Sequence, residues 1–355
     1  MLKTIFFLII LVISSTIGSG YWTYKTYLIK PLPIFEDLHY VVKPNTNLRR
    51  ITIDLIDKEL MNYPAGLTWV SLARYQKRAH LIKAGEYLIP VGTTPQQMLA
   101  IMISGKVVSH KLTIPEGWNF SQMMTAIRDH PEIVQTLRDM DNKTIMTKLG
   151  WPKQHPEGRF YPDTYHFATG TTDVELLKLS YKMMEKTLAE VWKQRKDDLL
   201  LKKPYDVLIL ASIVEKETAA VEERPLIAGV FIRRLKKNMR LQTDPTVIYA
   251  LGKDFDGNLR GKDLKVDNPY NTYRYKGLPP TPIAMPGKAA LEATINPTGG
   301  KTLYFVAKGG GKHYFSTTLK EHECAVIEYQ IKNKNHSRYR SRCRKYPNCF
   351  ACSKH

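Results

Sequence analysis

An uncharged, largely apolar run from Ile5 to Tyr24 is the strongest constraint on this chain, with Lys3 before it and Lys25 after it. At about 1.5 Å of rise per residue, a helix of about 20 residues matches a hydrocarbon core about 30 Å thick. The alternative is a cleaved signal peptide, which usually has a shorter apolar stretch and an A-x-A-like site, and no such site occurs here. The run therefore predicts a single-pass membrane anchor at residues 5–25, a short cytoplasmic end at residues 1–4 and an exported remainder.

The net charge of +20 is unevenly distributed along the chain. Residues 332–355 contain eight Lys and Arg and no acidic residue, so they carry +8 and leave +12 for residues 1–331. A basic chain can bind polyanions, but an exported chain does not meet DNA, and we expect no nucleic-acid partner. The 43% hydrophobic content allows a large core and excludes a wholly disordered chain.

The four cysteines lie close to the C-terminus, at Cys324, Cys343, Cys349 and Cys352. The C-x5-C-x2-C spacing could hold zinc, or the thiols could form disulfides in an exported setting. A zinc site usually needs a second CxxC pair, which the chain lacks. We therefore interpret residues 332–355 as a basic, disordered tail with incidental thiols, and expect neither a metal nor a cofactor.

Two folded regions are predicted after an extended linker at residues 26–39. The smaller region, residues 40–110, has the order β-α-α-β and resembles a sugar-binding LysM-like module; a plain spacer domain is the alternative. The larger region, residues 111–331, is mostly helical with a few short strands, so the fold class is α+β. Its helical patterns cover 120–128, 131–138, 142–149, 174–198, 204–217, 225–239 and 319–332, with strands at 302–307 and 313–315.

The segment from Leu208 to Thr218 is an apolar helix that runs into two carboxylates. Glu215 lies on the same face as Leu208 and Ala211, whereas Glu217 is about 200° further round the helix, so the two carboxylates cannot serve one site from one face. Loss of solvation at the end of an apolar stripe raises the pKa of a carboxyl group, and a protonated carboxyl can act as a general acid. The alternative is that both residues mark the solvated end of a buried helix.

Two later segments combine amides, hydroxyls and aromatic rings. Arg240–Tyr249 places Gln242, Thr243 and Asp244 in adjacent positions before a helix, and the loop that follows contains Tyr270-Asn-Thr-Tyr273. Aromatic faces stack on the CH-rich faces of sugars, and amides bond their hydroxyls. These segments therefore favour a carbohydrate ligand.

Many short strings occur here in a characteristic order: Ala211-Ser-Ile-Val-Glu-Lys-Glu217, Leu241-Gln-Thr-Asp-Pro-Thr246, Tyr270-Asn-Thr-Tyr273, Gly277-Leu-Pro-Pro280, Ile295-Asn-Pro297, Leu303-Tyr-Phe-Val-Ala307, His313-Tyr-Phe-Ser316 and Glu321-His322. In these strings the chain closely resembles the MltG (YceG-like) family of endolytic murein transglycosylases. The likeness ends near residue 331, so the tail lies outside it.

The resemblance implies an inner-membrane enzyme whose catalytic domain lies in the periplasm. It implies cleavage of the β-1,4 bond between N-acetylmuramic acid and N-acetylglucosamine in nascent peptidoglycan, with a 1,6-anhydro end as product. The implied partners are peptidoglycan glycan strands, peptidoglycan polymerases (penicillin-binding proteins) and the inner membrane. The alternative function is a non-catalytic glycan-binding scaffold for those polymerases.

The resemblance also implies site residues. It assigns catalysis to Glu215, as acid towards the leaving oxygen and then as base towards the C6 hydroxyl of the substrate. One carboxyl group can serve both steps because the nucleophile belongs to the substrate, unlike the usual pair of carboxylates in glycosidases. The candidate substrate-binding residues are Glu217, Gln242, Thr243, Asp244, Asn271 and Tyr273.

Overall fold

The computed structural model describes residues 2–43, 45–331 and 337–352. In these residues, helices accompany three two-stranded sheets, which confirms the predicted α+β class. The chain forms two compact units. The first comprises residues 1–111 with 132–134 and 166–171, and the second comprises residues 112–131, 135–165 and 172–355.

The first unit is built around a β-α-α-β motif. Strand β1 (Leu38–Val42) pairs with strand β2 (Gly85–Ile89) in antiparallel register, with Tyr40 opposite Tyr87, and both rings are buried. Its helices begin at side-chain caps: Asn47 accepts from the Arg50 amide and Asn62 from the Ala65 amide. The elements are α1 (Leu2–Tyr27), β1 (Leu38–Val42), α2 (Leu48–Asp57), α3 (Tyr63–Tyr75), β2 (Gly85–Ile89), α4 (Pro95–Ser104) and β3 (Ser109–Thr113).

Helix α1 contains the apolar run on which the anchor was predicted. None of the helices in the described ranges combines the length and the hydropathy that a membrane crossing requires. The predicted anchor at residues 5–25 is therefore not confirmed.

The second unit is mostly helical, and its core surrounds helix α8 (Pro204–Glu217), whose residues 207–214 are all buried. Pro204 stands in the first turn of α8, where its missing N–H costs no helical hydrogen bond. Strand β4 (Thr164–Ala168) pairs with β3, and most of each strand belongs to the first unit. The elements of the second unit are α5 (Phe120–Asp129), α6 (Asn142–Leu149), α7 (Asp173–Lys193), α8 (Pro204–Glu217), α9 (Arg224–Lys236), α10 (Asp244–Leu251), α11 (Lys288–Ile295), β5 (Tyr304–Gly309), β6 (Lys312–Ser316), α12 (Leu319–Tyr329) and α13 (Ser337–Lys345).

Two segments differ from the predicted secondary structure. The helix predicted at 131–138 is wrong, because the buried carboxylate of Asp173 accepts from the amides of Thr136 and Leu137, both at 2.8 Å, and fixes a turn instead. Helix α11 was missed within the aperiodic stretch 254–300. It packs against α8 and is buried nearly all round, so it shows no amphipathic pattern.

The tail also differs from its prediction as a disordered segment with incidental thiols. Disulfides join Cys324 to Cys349 and Cys343 to Cys352, and Tyr339 of α13 is buried beneath them. Four cysteines within 29 residues can close two short loops, which orders a segment too small to bury its own core. Residues 332–336 and 353–355 of the predicted tail lie outside the described ranges.

Glu157 lies in the segment between α6 and α7. It is 4% exposed, and its carboxyl group accepts from the Phe120 amide at 2.9 Å and from the Tyr249 hydroxyl at 3.0 Å. Burial raises its pKa to about 7. Above pH ~4.5 the folded state thus keeps a proton on Glu157 that the unfolded chain loses. This difference in proton binding stabilises the folded state at low pH, and the stabilisation is lost as the pH rises to about 7. We expect the free energy of unfolding to fall by roughly 2–3 kcal/mol more in the wild type than in Glu157→Gln between pH 5 and pH 8. Urea unfolding at both pH values measures this difference, and parallel curves for the two proteins would contradict it.

Candidate active site

The last turn of α8 sends its two carboxylates in different directions. Glu215 points towards the N-terminus of α11, and Glu217 points into a cleft bordered by α9, α12 and β5. This separation is the one expected for residues about 200° apart on a helix. The two side chains therefore have different partners and different roles.

Glu215 belongs to a buried ion cluster. Its side chain is 5% exposed; one oxygen accepts from the Arg224 guanidinium at 2.7 Å and the other from the Gly287 amide at 3.0 Å. Glu116 also contacts Arg224, at 3.4 Å. Burial raises the pKa of Glu215, while the Gly287 amide and the Arg224 charge oppose that rise. Both oxygens of Glu215 are therefore held by protein groups, one of them in a buried ion pair.

The close approach at Gly287 shows how tightly this cluster is packed. A Cβ atom at position 287 would lie 1.7 Å from an oxygen of Glu116. Only glycine brings the chain close enough for its amide to reach Glu215. The cluster thus joins the end of α8 to the start of α11, and Glu215 does not line the cleft.

Glu217 lines that cleft, which has a volume of about 460 Å³. The Thr243 hydroxyl donates a hydrogen bond to its carboxyl group. Burial, together with the neighbouring Asp244 charge, raises the pKa of Glu217 to about 7, against the Thr243 hydrogen bond and the Arg234 charge. Near neutral pH this carboxyl group is therefore divided between its protonated and ionised forms, as a group that both gives and takes a proton should be.

Asp244 and Tyr273 lie beside Glu217 in the cleft. The Tyr273 hydroxyl donates to Asp244 at 2.5 Å, and burial together with this contact raises the pKa of Tyr273. Gln242 also lines the cleft and has a φ of +52°, which costs a non-glycine residue energy and is often found at functional sites. The cleft therefore brings together four of the predicted substrate-binding residues: Glu217, Gln242, Asp244 and Tyr273.

Thr243 and Asn271 are buried rather than open to the cleft. Thr243 is 2% exposed and holds Glu217. The Asn271 side chain is fully buried; its amide donates to the Leu264 and Val266 carbonyls, and its oxygen accepts from the Tyr273 amide at 3.0 Å. Asn271 therefore shapes the loop that carries Tyr273, and the structure does not bring it to the cleft as a substrate contact.

Several cleft residues were not predicted from the sequence, among them Arg234, Tyr304 and His322. Arg234 is 7% exposed, donates to the Leu241 carbonyl at 2.7 Å, and lies 5.1 Å from the centre of the Tyr304 ring. His322 stacks on Tyr304 at 5.3 Å. The only signal for these residues was their presence in or near the ordered strings.

His322 has a buried Nδ1 atom without a hydrogen-bond partner in the described part of the chain. Burial lowers its pKa, and the charges of Arg234 and Arg342 lower it further against the opposing charge of Glu323. A neutral imidazole can donate a hydrogen bond from one ring nitrogen and accept one at the other. Across the residues that the structure describes, no cluster of three or more His, Cys, Asp or Glu could hold a metal ion.

Comparison with known proteins gives a consistent result. The family model described as "YceG-like family" matches residues 40–328. An endolytic murein transglycosylase of Bacillus subtilis is 35% identical over 73% of this chain and 76% of that protein. One from Streptococcus pneumoniae is 30% identical over 91% of this chain, which spans 64% of that longer protein.

A solved structure extends the comparison to the fold. The 2.6 Å crystal structure of a YceG-like protein from Listeria monocytogenes is 32% identical to this chain, with a TM-score of 0.53. The match covers 81% of this chain and 98% of the Listeria chain. Together with the ordered strings and the cleft they surround, these matches show that the chain belongs to the YceG-like family.

Proposed function

We propose that this protein is an endolytic lytic transglycosylase that cuts glycan strands of peptidoglycan. The predicted enzyme class agrees with the curated relatives, which are all named endolytic murein transglycosylase. The observation that carries the proposal is the position of Glu217, whose carboxyl group has a raised pKa and lines a cleft together with polar and aromatic side chains.

In the proposed reaction, protonated Glu217 gives its proton to the glycosidic oxygen, which stays on C4 of N-acetylglucosamine as its bond to C1 of N-acetylmuramic acid breaks. The resulting Glu217 carboxylate then takes the proton from the C6 hydroxyl, whose oxygen bonds to C1. A 1,6-anhydro end forms, no water is consumed, and Glu217 is protonated again. A pKa near 7 suits both half-reactions, because neither proton transfer is then strongly uphill.

The neighbouring groups support the charge that develops on the sugar. The transition state of glycosidic cleavage is oxocarbenium-like, and the Asp244 carboxylate, held by the Tyr273 hydroxyl, would stabilise the positive charge. Tyr304 and His322, which stack on each other, give the same cleft an aromatic lining suited to the CH-rich face of a sugar.

The geometry favours Glu217 over Glu215 as the acid. The resemblance assigned catalysis to Glu215, but both of its oxygens are occupied by Arg224 and Gly287. We propose that Glu215 is a positioning residue, which fixes the last turn of α8 and so holds Glu217 in the cleft.

Product analysis tests this function. The full chain is incubated in detergent with peptidoglycan strands, and the released muropeptides are analysed by mass spectrometry. We expect internal cuts whose new ends lack one water relative to a reducing end. Products with reducing ends would indicate a hydrolase, and binding without products would favour the scaffold.

The pH dependence of the reaction rate follows from the raised pKa of Glu217. Because the first step needs its protonated form, kcat/KM should fall by about tenfold per pH unit above pH ~8. Steady-state rates between pH 5.5 and 9.5 measure the profile, and strand binding over the same range is the control for unfolding. A rate that stays flat between pH 7 and pH 9 would contradict the assignment.

We also propose that residues 5–25 anchor the protein in the inner membrane, with the catalytic unit in the periplasm beside the peptidoglycan polymerases. The uncharged run from Ile5 to Tyr24 supports this location. The full chain should stay with membranes after a high-salt wash, whereas a chain that begins at residue 26 behind a cleavable export signal should be released. Equal release of the two chains would refute the anchor.

A further inference from the structure

The most basic element of the chain is α13. Five of its nine residues are Arg or Lys and none is acidic. It lies beyond residue 328, where the match to the family model ends. Nothing in the proposed cleavage reaction requires it, so its charge needs a separate explanation.

Helix α13 has a defined position because one ion pair joins it directly to α12, and two disulfides join it to α12 through residues 349–352. One disulfide joins Cys324 of α12 to Cys349, and a second joins Cys343 of α13 to Cys352. Arg342 forms an ion pair with Glu323 of α12. The ordered tail therefore presents its cations at a fixed place on the second unit.

That place is the rim of the cleft. Helix α12 lines the cleft with His322, Glu323 and Val326, and Glu323 is the residue that Arg342 contacts. The charge of Arg342 also reaches His322 in the cleft, where it contributes to the lowered pKa of that imidazole. A long glycan strand in the cleft would continue past this rim.

The cations of α13 occupy two faces. At about 100° per residue, Arg338 and Lys345 lie within about 60° of Arg342, on the side that meets Glu323. Arg340 and Arg344 lie on the opposite side of the helix. Apart from the partly buried Arg342, these cations are exposed.

We propose that the cleft-side face of α13, formed by Arg338, Arg342 and Lys345, binds carboxylates on the peptide side chains of the strand held in the cleft. This inference rests on the proposed function. Peptides attached to murein strands end in carboxylates, and guanidinium groups bind carboxylates through paired hydrogen bonds. Continuity with the cleft and complementary charge favour this occupant, so the tail selects strands that still carry their peptides.

The test compares two double variants that each remove two charges from the same helix. Arg338→Gln/Lys345→Gln alters the cleft-side face and keeps the Arg342–Glu323 ion pair, whereas Arg340→Gln/Arg344→Gln alters the opposite face. Both are made in the full chain with Glu217→Gln, so that the strands stay intact. Binding is measured in 50 mM salt to immobilised strands that carry peptides and to strands stripped of peptides by an amidase.

We expect the cleft-side variant to bind peptide-bearing strands five- to tenfold more weakly than the parent, and stripped strands equally well. The opposite-face variant should bind both like the parent. At 0.5 M salt, where the Debye length is about 4 Å, the difference between the variants should shrink to less than twofold. Cys324→Ser/Cys349→Ser, which keeps every charge but releases the tail from α12, should show the same loss as the cleft-side variant.

Three outcomes would overturn the inference. Equal losses in the two double variants would indicate a general effect of charge, and an equal loss on stripped strands would exclude the peptide carboxylates. A loss seen only on vesicles of phosphatidylglycerol would assign the face to a lipid surface. These are binding results, so they stand apart from the proposed activity, which fails instead if the wild type releases no anhydro products.

Discussion

Glu217→Gln is expected to lower the rate of anhydro-product release by about 10³-fold or more while leaving the fold and strand binding intact. An amide cannot give a proton to the leaving oxygen or take one from the C6 hydroxyl, so both steps lose their catalyst. The amide keeps the size of the carboxyl group and can still accept the Thr243 hydrogen bond. Muropeptide analysis by mass spectrometry measures the rate, and circular dichroism with strand co-sedimentation checks the fold.

Glu215→Gln is the matched control, because it makes the same change two residues away, on another side of the same helix. It should lower stability and reduce the rate several-fold through the position of Glu217, while the pH at which the rate begins to fall stays the same. If Glu215→Gln abolished product release and Glu217→Gln retained it, the catalytic role would return to Glu215, as the family resemblance implied.

Arg224→Met should lower the free energy of unfolding by about 3–5 kcal/mol. Arg224 is 5% exposed and contacts both Glu215 and Glu116, so its removal leaves the buried Glu215 carboxylate without its ion-pair partner. Urea unfolding at pH 7.5 measures the loss. A change below 1 kcal/mol would show that Glu215 is already protonated in the folded state.

A second change identifies the cause of this loss. In Arg224→Met/Glu215→Gln no charge remains at position 215, so we expect much of the lost stability to return, whereas additive losses would indicate that Arg224 acts only through packing. Lowering the pH to 5 should also narrow the gap between wild type and Arg224→Met, because protonation removes the unpaired charge.

The helical periodicity of α8 was enough to predict both the buried stripe and the separation of its two carboxylates. It could not tell which carboxylate meets substrate, because that depends on what packs against each side of the helix. Gly287 and Arg224 reach Glu215 from α11 and the start of α9, which are 72 and 9 residues away along the chain. The resemblance assigned catalysis to Glu215, whereas our proposal assigns it to Glu217, which lines the cleft.

Tertiary contacts also distinguish residues that look alike in the sequence. Arg233 and Arg234 are adjacent cations, but Arg234 lies in the cleft, whereas Arg233 donates to the Thr298 and Thr302 carbonyls away from it. Asn271 and Tyr273 share one short string, yet only Tyr273 lines the cleft. A short sequence motif can indicate that its residues are functionally important. It does not show which of them contact the substrate and which stabilise the conformation of the loop.

Sequence by itself determined the α+β class, the family and the set of segments that carry the chemistry, because helical period, turn residues and ordered strings are local properties of the chain. Only the tertiary structure decided that Glu217 rather than Glu215 meets the cleft, that Asn271 is a support, and that the tail is an ordered, disulfide-bonded helix on α12. These outcomes depend on desolvation and on contacts between residues far apart in the sequence, and neither can be derived from local pattern.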